Sequence, residues 1–251
     1  MTDTSPPPPP LSTAAQAINA SKIYGSGDTE VRALDGVDVT FPVGEFTAIM
    51  GPSGSGKSTL MHCMAGLDSL TSGDVLIGTT SLGSLSERDL TLLRRDNVGF
   101  VFQAFNLVPT LSALENITLP MDLAGISPDQ AWIDQVIDTV GLSDRTSHRP
   151  NELSGGQQQR VAVSRALATR PKIIFADEPT GNLDSVTGNE ILTFMRQAVD
   201  EYGQTIVMVT HDPNAASYAD RVIFLVDGKV VDEVVDPEPD VIFDHLKELG
   251  A

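Results

Sequence analysis

Cysteine and long apolar runs are both scarce in this 251-residue sequence. The single cysteine, Cys63, excludes an intrachain disulfide framework and is typical of a protein from a reducing compartment. We expect its side chain to be a small buried group rather than a reactive one. The longest apolar runs, such as the one that ends at residue 176, fall well short of the roughly 18 residues that cross a bilayer. The N-terminus has neither the basic region nor the apolar stretch of a signal peptide, so we expect a cytoplasmic chain.

Basic side chains are also few. The sequence has 16 lysines and arginines against 34 aspartates and glutamates, which gives a formal net charge of -18. Such a charge repels the phosphate backbone of nucleic acids and anionic lipid headgroups. We therefore expect no nucleic-acid partner, and we interpret the excess of acid as a solvated surface rather than a functional patch.

The chain length predicts one main domain, preceded by a short proline-rich tail. A run from Pro6 to Pro10 has polyproline character and is not expected to join a packed core. We assign residues 1–16 to a disordered tail and residues 17–251 to the folded domain. The tail could bind a proline-reading domain, but a tail without a function is the simpler interpretation.

Short apolar runs punctuated by glycine and aspartate predict an α/β fold. The later runs lack polar alternation, as expected for parallel strands covered on both faces, and the apolar residues between them recur at helical spacing. The strands predicted from these runs are residues 37–41, 46–50, 172–176 and 205–209. The chain thus contains a strand, helix, strand unit.

Two further segments differ from this pattern. Residues 222–226 and 229–235 flank Asp227-Gly228, a dipeptide suited to a tight hairpin turn, so we expect an antiparallel edge near the C-terminus. Residues 104–165 contain amphipathic helical segments, such as 131–140, and little strand pattern. We predict a mostly helical lobe there.

The segment GPSGSGKS at residues 51–58 matches the P-loop pattern, and it follows a predicted strand and precedes a predicted helix. Glycines let the backbone N–H groups converge on phosphate oxygens, and the helix N-terminus adds a favourable dipole. Lys57 is expected to contact the β- and γ-phosphates, and Ser58 to ligate Mg²⁺. The predicted phosphate-binding residues are Gly51, Ser53, Gly54, Ser55, Gly56, Lys57, Ser58 and Thr59. The motif alone does not separate ATPases from kinases or GTPases.

Two carboxylates, Asp177 and Glu178, end the apolar run 173–176, at the edge where open α/β sheets bind ligands. Side chains alternate along a strand, so the two carboxylates can have different roles. Asp177 is predicted to reach the Mg²⁺ shell, and Glu178 to polarise the attacking water as general base.

A second glycine turn, LSGGQQQR at residues 153–160, opens another predicted helix. Ser154 and the N–H groups of Gly155 and Gly156 offer a second phosphate site at a helix N-terminus. A serine-capped helix start with no ligand is the alternative. One P-loop and one such turn suggest a two-fold dimer in which each turn closes on the nucleotide held by the other copy.

With LSGGQ followed by a strand that ends in Asp-Glu, the chain resembles the ABC ATPases over residues 18–235. The resemblance implies a P-loop NTPase core of RecA type with an antiparallel β subdomain and a helical subdomain, ATP and Mg²⁺ as ligands, and ATP hydrolysis. It also implies four site residues. Tyr24 would stack on adenine, Gln103 would sense Mg²⁺ and the permease, Asp184 would lie at the dimer interface, and His211 would contact the γ-phosphate. Each has a simpler alternative: Tyr24 could be an ordinary surface aromatic, Gln103 and Asp184 polar loop residues, and His211 a helix cap.

Within that superfamily, the segments FQAFNL (102–107), LENI (114–117) and ADEPTGNLD (176–184) are most similar to the MacB, LolD and FtsE group. The resemblance implies a homodimer that drives a separate FtsX- or MacB-like permease, for export, lipoprotein release or mechanotransmission, from the inner face of the cell membrane. An extracytoplasmic partner of the permease is also implied. We expect the permease to dock near Gln103, where Phe105, Leu107, Val108 and Pro109 either form a groove or pack the lobe internally.

Two other classes compete with this interpretation. A soluble ABC ATPase that remodels a ribosome or a DNA-repair complex usually has two ATPase units or a coiled-coil insert and a basic face, which this sequence lacks. A P-loop kinase for small molecules has no evident use for the LSGGQ turn or His211. We assign no function to the acidic segment 236–251, and the sequence does not identify a transported molecule.

Overall fold

Two β-sheets and eight α-helices make up the described part of the chain, residues 12–249 of a computed structural model. In chain order the strands are β1 (Thr13–Tyr24), β2 (Val31–Pro42), β3 (Phe46–Met50), β4 (Ser72–Ile77), β5 (Thr80–Ser81), β6 (Val98–Phe102), β7 (Ile173–Asp177), β8 (Ile206–Val209), β9 (Arg221–Val226) and β10 (Lys229–Val235). The helices are α1 (Lys57–Met64), α2 (Glu87–Asn97), α3 (Ala113–Ala124), α4 (Gln130–Thr139), α5 (Gly155–Ala168), α6 (Ser185–Tyr202), α7 (Pro213–Ala216) and α8 (Pro239–Glu248).

The smaller sheet is antiparallel, with the strand order β2, β1, β4, β5. Strand β1 begins at Thr13, so residues 13–16, predicted as the end of the disordered tail, belong to a strand that pairs with β2. Its apolar residues are mainly alanines, which are less common in strands than β-branched residues. Burial of these alanines against the core outweighs their low strand propensity. The run from Pro6 to Pro10 lies outside the described residues.

The larger sheet has the order β10, β9, β3, β8, β7, β6. Neighbours from β9 to β6 are parallel, and β10 joins β9 as an antiparallel edge strand after the turn at Asp227 and Gly228, as predicted. All five residues of β3 and all four of β8 are buried, because both faces of the sheet are covered.

The two faces of the larger sheet contribute to two apolar cores. Phe46, Met50 and Phe224 point into a core formed with α3, α4, α5 and α6. Ile49 and Phe175 point into a second core between this sheet, α1 and the antiparallel sheet. Cys63 lies in the second core and is 2% exposed, and burial raises the pKa of its thiol to about 11. The expectation that Cys63 is a small buried group is thereby confirmed.

Helices α3, α4 and most of α5 occupy the segment predicted as a helical lobe, and the structure describes no strand between residues 104 and 165. Local sequence sets their starts: Ser112 and Glu115 form a reciprocal capping box at the start of α3. These observations confirm the predicted fold class.

Helix α8 packs against the edge of the larger sheet. Ile242 is fully buried, the His245 ring stacks on Phe224 at 5.4 Å, and His245 Nδ1 lies 2.9 Å from a carboxylate oxygen of Asp232. Among the helices described between residues 12 and 249, none has the length and apolar character required to span a bilayer.

Candidate functional site

Four adjacent parallel strands end at the same edge of the larger sheet, and each leads into a predicted site residue. Strand β3 is followed by Gly51, β6 by Gln103, β7 ends at Asp177, and β8 is followed two residues later by His211. Carboxyl ends of parallel strands form the ligand-binding edge of open α/β sheets. The fold therefore gathers residues that are up to about 160 positions apart in the sequence.

The loop between β3 and α1 packs tightly against neighbouring backbone. Gly51 has φ +141°, and a Cβ added there would lie 1.9 Å from the carbonyl oxygen of Leu225. A Cβ on Gly56, at φ +103°, would lie 2.2 Å from the carbonyl oxygen of Ala33. Only glycine fits at these two positions, so the loop has the compact shape that a phosphate cradle needs.

Lys57 begins α1 and turns back over this loop. Its Nζ donates to the carbonyl oxygens of Gly51 and Pro52, both at 2.8 Å. Burial lowers the pKa of Lys57, while Glu178 and Asp177 act in the opposite direction. Ser55 Oγ is buried here and has no hydrogen-bond partner among the described residues, so a hydroxyl donor is available within the loop.

The two predicted carboxylates differ in environment. Burial raises the pKa of Asp177, and nearby His62 and Lys57 act to lower it. Glu178 has φ +46°, a left-handed conformation that is uncommon outside glycine, and its N–H donates to the carbonyl oxygen of Val209 at 2.9 Å. Its Oε1 lies 2.8 Å from Nδ1 of His211. The bend at Glu178 thus directs its carboxylate to His211.

Gln103 contacts a residue that the sequence did not suggest. Its Nε2 donates to Asn182 Oδ1 at 3.3 Å, and Asn182 Nδ2 donates to the Gln103 carbonyl oxygen at 2.9 Å. A Cβ on Gly181 would lie 2.7 Å from Gln103 Nε2, so glycine makes room for the amide. The loop after β6 is therefore joined to the loop after β7.

Ser154 caps the N-terminus of α5, as in the alternative of a serine-capped helix start. Its Oγ accepts from the N–H of Gln157 at 3.3 Å, and Gln157 Oε1 accepts from the N–H of Ser154 at 2.9 Å. A Cβ on Gly156 would lie 2.2 Å from Cγ2 of Thr187, so α5 and α6 touch at this turn. None of the hydrogen bonds within residues 12–249 joins Ser154, Gly155 or Gly156 to the loop 51–58.

Asp184 caps α6 next to that turn. Its carboxylate accepts from the N–H groups of Val186 and Thr187 and from the Thr187 hydroxyl, and these bonds from Thr187 hold the pKa of Asp184 below its usual range. Thr187 bonds Asp184, and its side chain also lies directly against Gly156. The LSGGQ turn and Asp184 thus form one surface, separate in hydrogen bonding from the loop 51–58.

Tyr24 ends β1 beside the start of α1. Its side chain is exposed, and its hydroxyl donates to Asp68 Oδ2 at 2.6 Å. Burial and this bond raise the pKa of the phenol, and Thr59 lowers it. The Tyr24 hydroxyl thus lies near Thr59 of α1, the helix that follows the phosphate loop.

The apolar surface near Gln103 differs from the predicted one. Leu107 packs on the main core and the Asn116 side chain bonds both backbone groups of Val108, so these two residues pack the lobe, whereas Pro109 is exposed. A groove of about 450 Å³ lies nearby instead, and its apolar walls are Leu67, Val98, Phe100, Phe102, Leu119, Pro120 and Leu123.

The family model described as "ABC transporter" matches residues 34–181, which is more than half of the sequence. This chain belongs to the ABC transporter family. The match contains both the loop 51–58 and the LSGGQ turn, so it rests on the residues that form the site. As an ABC ATPase, the chain binds and hydrolyses ATP.

Named relatives belong to transport systems. An ABC transporter ATP-binding protein of Mycobacterium tuberculosis is 47% identical over 221 residues, which are 87% of this chain and 89% of that protein. The lipoprotein-releasing system ATP-binding protein LolD of Geobacter metallireducens is 44% identical over 88% of this chain and 99% of its own length. The macrolide export ATP-binding/permease protein MacB of Hyphomonas neptunium is 45% identical over 90% of this chain, but the match spans only 35% of MacB.

A solved structure agrees with the fold. The ATP-binding cassette MJ0796 of Methanocaldococcus jannaschii, described as a dimer in a post-hydrolysis state with ADP and Pi, has a TM-score of 0.79 and 43% identity. The likeness covers 89% of this chain and 99% of that one. Together with the family match, it places this chain among ABC ATP-binding subunits of the MacB and LolD type.

Proposed function

We propose that two copies of the chain enclose two Mg-ATP molecules and drive a permease encoded as a separate polypeptide. One observation carries the proposal. The loop 51–58 and the strand-end residues Asp177, Glu178 and His211 lie together, whereas none of the hydrogen bonds among residues 12–249 joins the LSGGQ turn to that loop. A second copy is the natural source of an LSGGQ turn for each nucleotide, and the dimeric MJ0796 cassette supports this arrangement.

The triphosphate binds along the N-terminus of α1. Backbone N–H groups of Gly51 and of residues 53–59 surround the phosphates, and Lys57 exchanges the carbonyl oxygens of Gly51 and Pro52 for phosphate oxygens. The unpartnered Ser55 hydroxyl adds a donor. The Tyr24 ring stacks on adenine, beside Thr59.

The donor set of the site fits Mg²⁺. Ser58 offers a hydroxyl, Asp177 a half-buried carboxylate and Gln103 an amide oxygen, and hard divalent cations prefer such oxygen ligands. Burial raises the pKa of Asp177, so a neighbouring cation would stabilise its ionised form. The bound metal would neutralise charge on the phosphate oxygens. The bond from Gln103 to Asn182 uses Nε2, so it leaves the Gln103 amide oxygen for the metal.

Glu178 acts on the attacking water. Its carboxylate follows the metal-side residue Asp177 and is held by His211 at 2.8 Å, so Glu178 is oriented toward the nucleotide edge of the sheet. Glu178 accepts the proton of the water as general base, and His211 contacts the γ-phosphate. In the dimer, Ser154, Gly155 and Gly156 of the second copy bind that same phosphate, and Asp184 lies at the interface. Loss of the γ-phosphate then favours reopening.

The apolar groove between β6, α3 and the segment after α1 is the surface we assign to the permease. Leu67 is 49% exposed and Leu123 is 74% exposed, whereas the floor formed by Phe100 and Phe102 continues directly into Gln103. A helix of the permease placed in this groove would contact the loop after β6. In that loop, Gln103 is hydrogen-bonded to Asn182 of the loop after β7. The names of LolD and MacB support lipoprotein release or export, and mechanotransmission is a third use of such a machine. Through the permease, the chain would sit at the inner face of the cell membrane.

Leu123→Glu is expected to abolish co-purification of the permease when the chain is isolated from its native cells with Mg-ATP and bound proteins are identified by mass spectrometry. The residue is exposed, so the change should cost little stability. Val235→Glu is the matched control, because Val235 is 65% exposed on β10, at the opposite edge of the sheet.

Equal recovery of a permease with both variants would rule out this groove. Recovery of only ribosomal or DNA-associated proteins by the unchanged chain would favour the soluble remodelling ATPase instead. A large external domain on the recovered permease would be consistent with an extracytoplasmic partner.

A further inference from the structure

Asp68 joins two parts of the chain through short polar contacts. Its Oδ2 accepts from the Tyr24 hydroxyl at 2.6 Å, and its Oδ1 accepts from Lys22 Nζ, also at 2.6 Å. Oδ1 further accepts from the N–H of Ser69 at 2.7 Å. The carboxylate is thus shared by the antiparallel sheet and the segment that follows α1.

Lys22 completes this contact set. It is 8% exposed, and its Nζ donates to the Ser69 carbonyl oxygen at 2.6 Å as well as to Asp68. The ammonium lies 4.8 Å from the centroid of the Tyr24 ring, which is within the range of a cation–π contact. The bond that Lys22 donates to Asp68 raises the pKa of Lys22, which keeps this nearly buried ammonium charged. Both ends of the Tyr24 side chain, the ring and the hydroxyl, are therefore held.

Asp68 is also tied to the helix that carries Lys57 and Ser58. The N–H groups of Leu67 and Asp68 donate to the carbonyl oxygen of His62, in the last turn of α1, at 2.8 and 3.2 Å. A carboxylate at a helix C-terminus is disfavoured by the helix dipole, and Lys22 compensates for that cost. The distance from the phosphate loop to the Tyr24 ring is consequently set through α1 and Asp68.

We propose that Asp68, supported by Lys22, is a positioning residue that fixes the Tyr24 ring at a set distance from the phosphate loop. It thereby determines how much the base contributes to nucleotide affinity. This inference rests on the proposed stacking of Tyr24 on adenine. Asp68 itself does not touch the nucleotide, so its effect depends on the presence of a base.

Tyr24→Phe and Asp68→Asn are expected to weaken ATP binding about three- to tenfold, the range expected for losing one hydrogen bond at an exposed position. Each variant would be made in the full chain with Glu178→Gln, and Kd measured by calorimetry with Mg²⁺ for ATP and for inorganic tripolyphosphate. Affinity for tripolyphosphate should not change, because it has no base to stack. Asp74→Asn is the control, since Asp74 is a half-buried carboxylate of the same sheet that bonds Ser81 rather than Tyr24.

Tyr24→Phe keeps the ring and the Asp68–Lys22 pair, so it tests the inference even if Asp68→Asn does not fold. Equal weakening of both ligands by Asp68→Asn would reveal a merely structural role and overturn the inference. Unchanged ATP affinity in Tyr24→Phe and Asp68→Asn, with weakened affinity in Tyr24→Ala, would also overturn it. Unchanged affinity in Tyr24→Ala would instead refute the stacking role of Tyr24.

Discussion

Replacing Glu178 by glutamine lowers the rate of ATP hydrolysis about 10²- to 10⁴-fold, which is the usual contribution of a general base. The amide keeps the shape of the side chain and can still bond His211 Nδ1, now 2.8 Å from the Glu178 carboxylate, so the loop should retain its conformation. ATP binding should persist, because Lys57 and the glycine loop are unchanged. Steady-state phosphate release and ATP affinity, measured on the same preparation, separate the two effects.

Glu190→Gln serves as the control for that experiment. Glu190 lies on α6 and pairs with Arg160, away from the strand ends that form the site. Its hydrolysis rate should stay within about twofold of the original, as expected for a surface substitution. Undiminished phosphate release by Glu178→Gln would remove Glu178 as the base.

Gly51→Ala should destabilise the protein by more than about 4 kcal/mol, an effect seen only for severe core or backbone changes. The added Cβ would meet the backbone oxygen of Leu225 at 1.9 Å, and neither the loop nor β9 can yield without losing the sheet edge. Gly54→Ala is the matched variant in the same loop. Gly54 also has positive φ, +81°, but nothing lies within 4 Å of its added Cβ, so only backbone strain of about 1–2 kcal/mol remains. Chemical denaturation of both variants measures the difference.

A small or equal loss of stability in the two variants would mean that the close approach of Gly51 to Leu225 does not constrain the loop. A large loss confined to Gly51→Ala would establish that the cradle is built against β9. The comparison depends on stability alone and holds whether or not nucleotide is bound.

The sequence predicted the elements whose residues carry their own pattern. Buried runs without alternation gave the parallel strands, and the hairpin followed from Asp227-Gly228, because each depends on neighbours in the chain. The glycine loop 51–58 and the Asp177-Glu178 pair were identified for the same reason. Burial of Cys63 also agreed with expectation.

Features that depend on distant contacts were missed. Strand β1 begins at Thr13, earlier than predicted. Its first residues were missed because alanines do not form a recognisable strand pattern, and their burial depends on pairing with β2 and β4. The Gln103–Asn182 pair joins residues 79 positions apart, and Lys22 and Asp68 are 46 apart. No local spacing encodes such pairs. Asn182 lies directly before Leu183-Asp184, but nothing in its local sequence indicates Gln103 as its partner.

The contacts of Ser154 and Asp184 within one copy are consistent with the proposed site shared by two copies. Ser154 and Asp184 satisfy their own helix starts and share Thr187 as a neighbour, while the phosphate loop and Glu178 lie at the strand ends. We therefore propose that a nucleotide that contacts both sets of residues does so across two copies.

The molecular mass in solution of the Glu178→Gln chain, measured with saturating Mg-ATP and again with Mg-ADP, tests this shared site most directly. We predict twice the mass of one chain with Mg-ATP and the mass of one chain with Mg-ADP, because only the γ-phosphate brings the LSGGQ turn of the second copy onto the nucleotide. A single-chain mass under conditions where ATP binding is saturated would contradict the account.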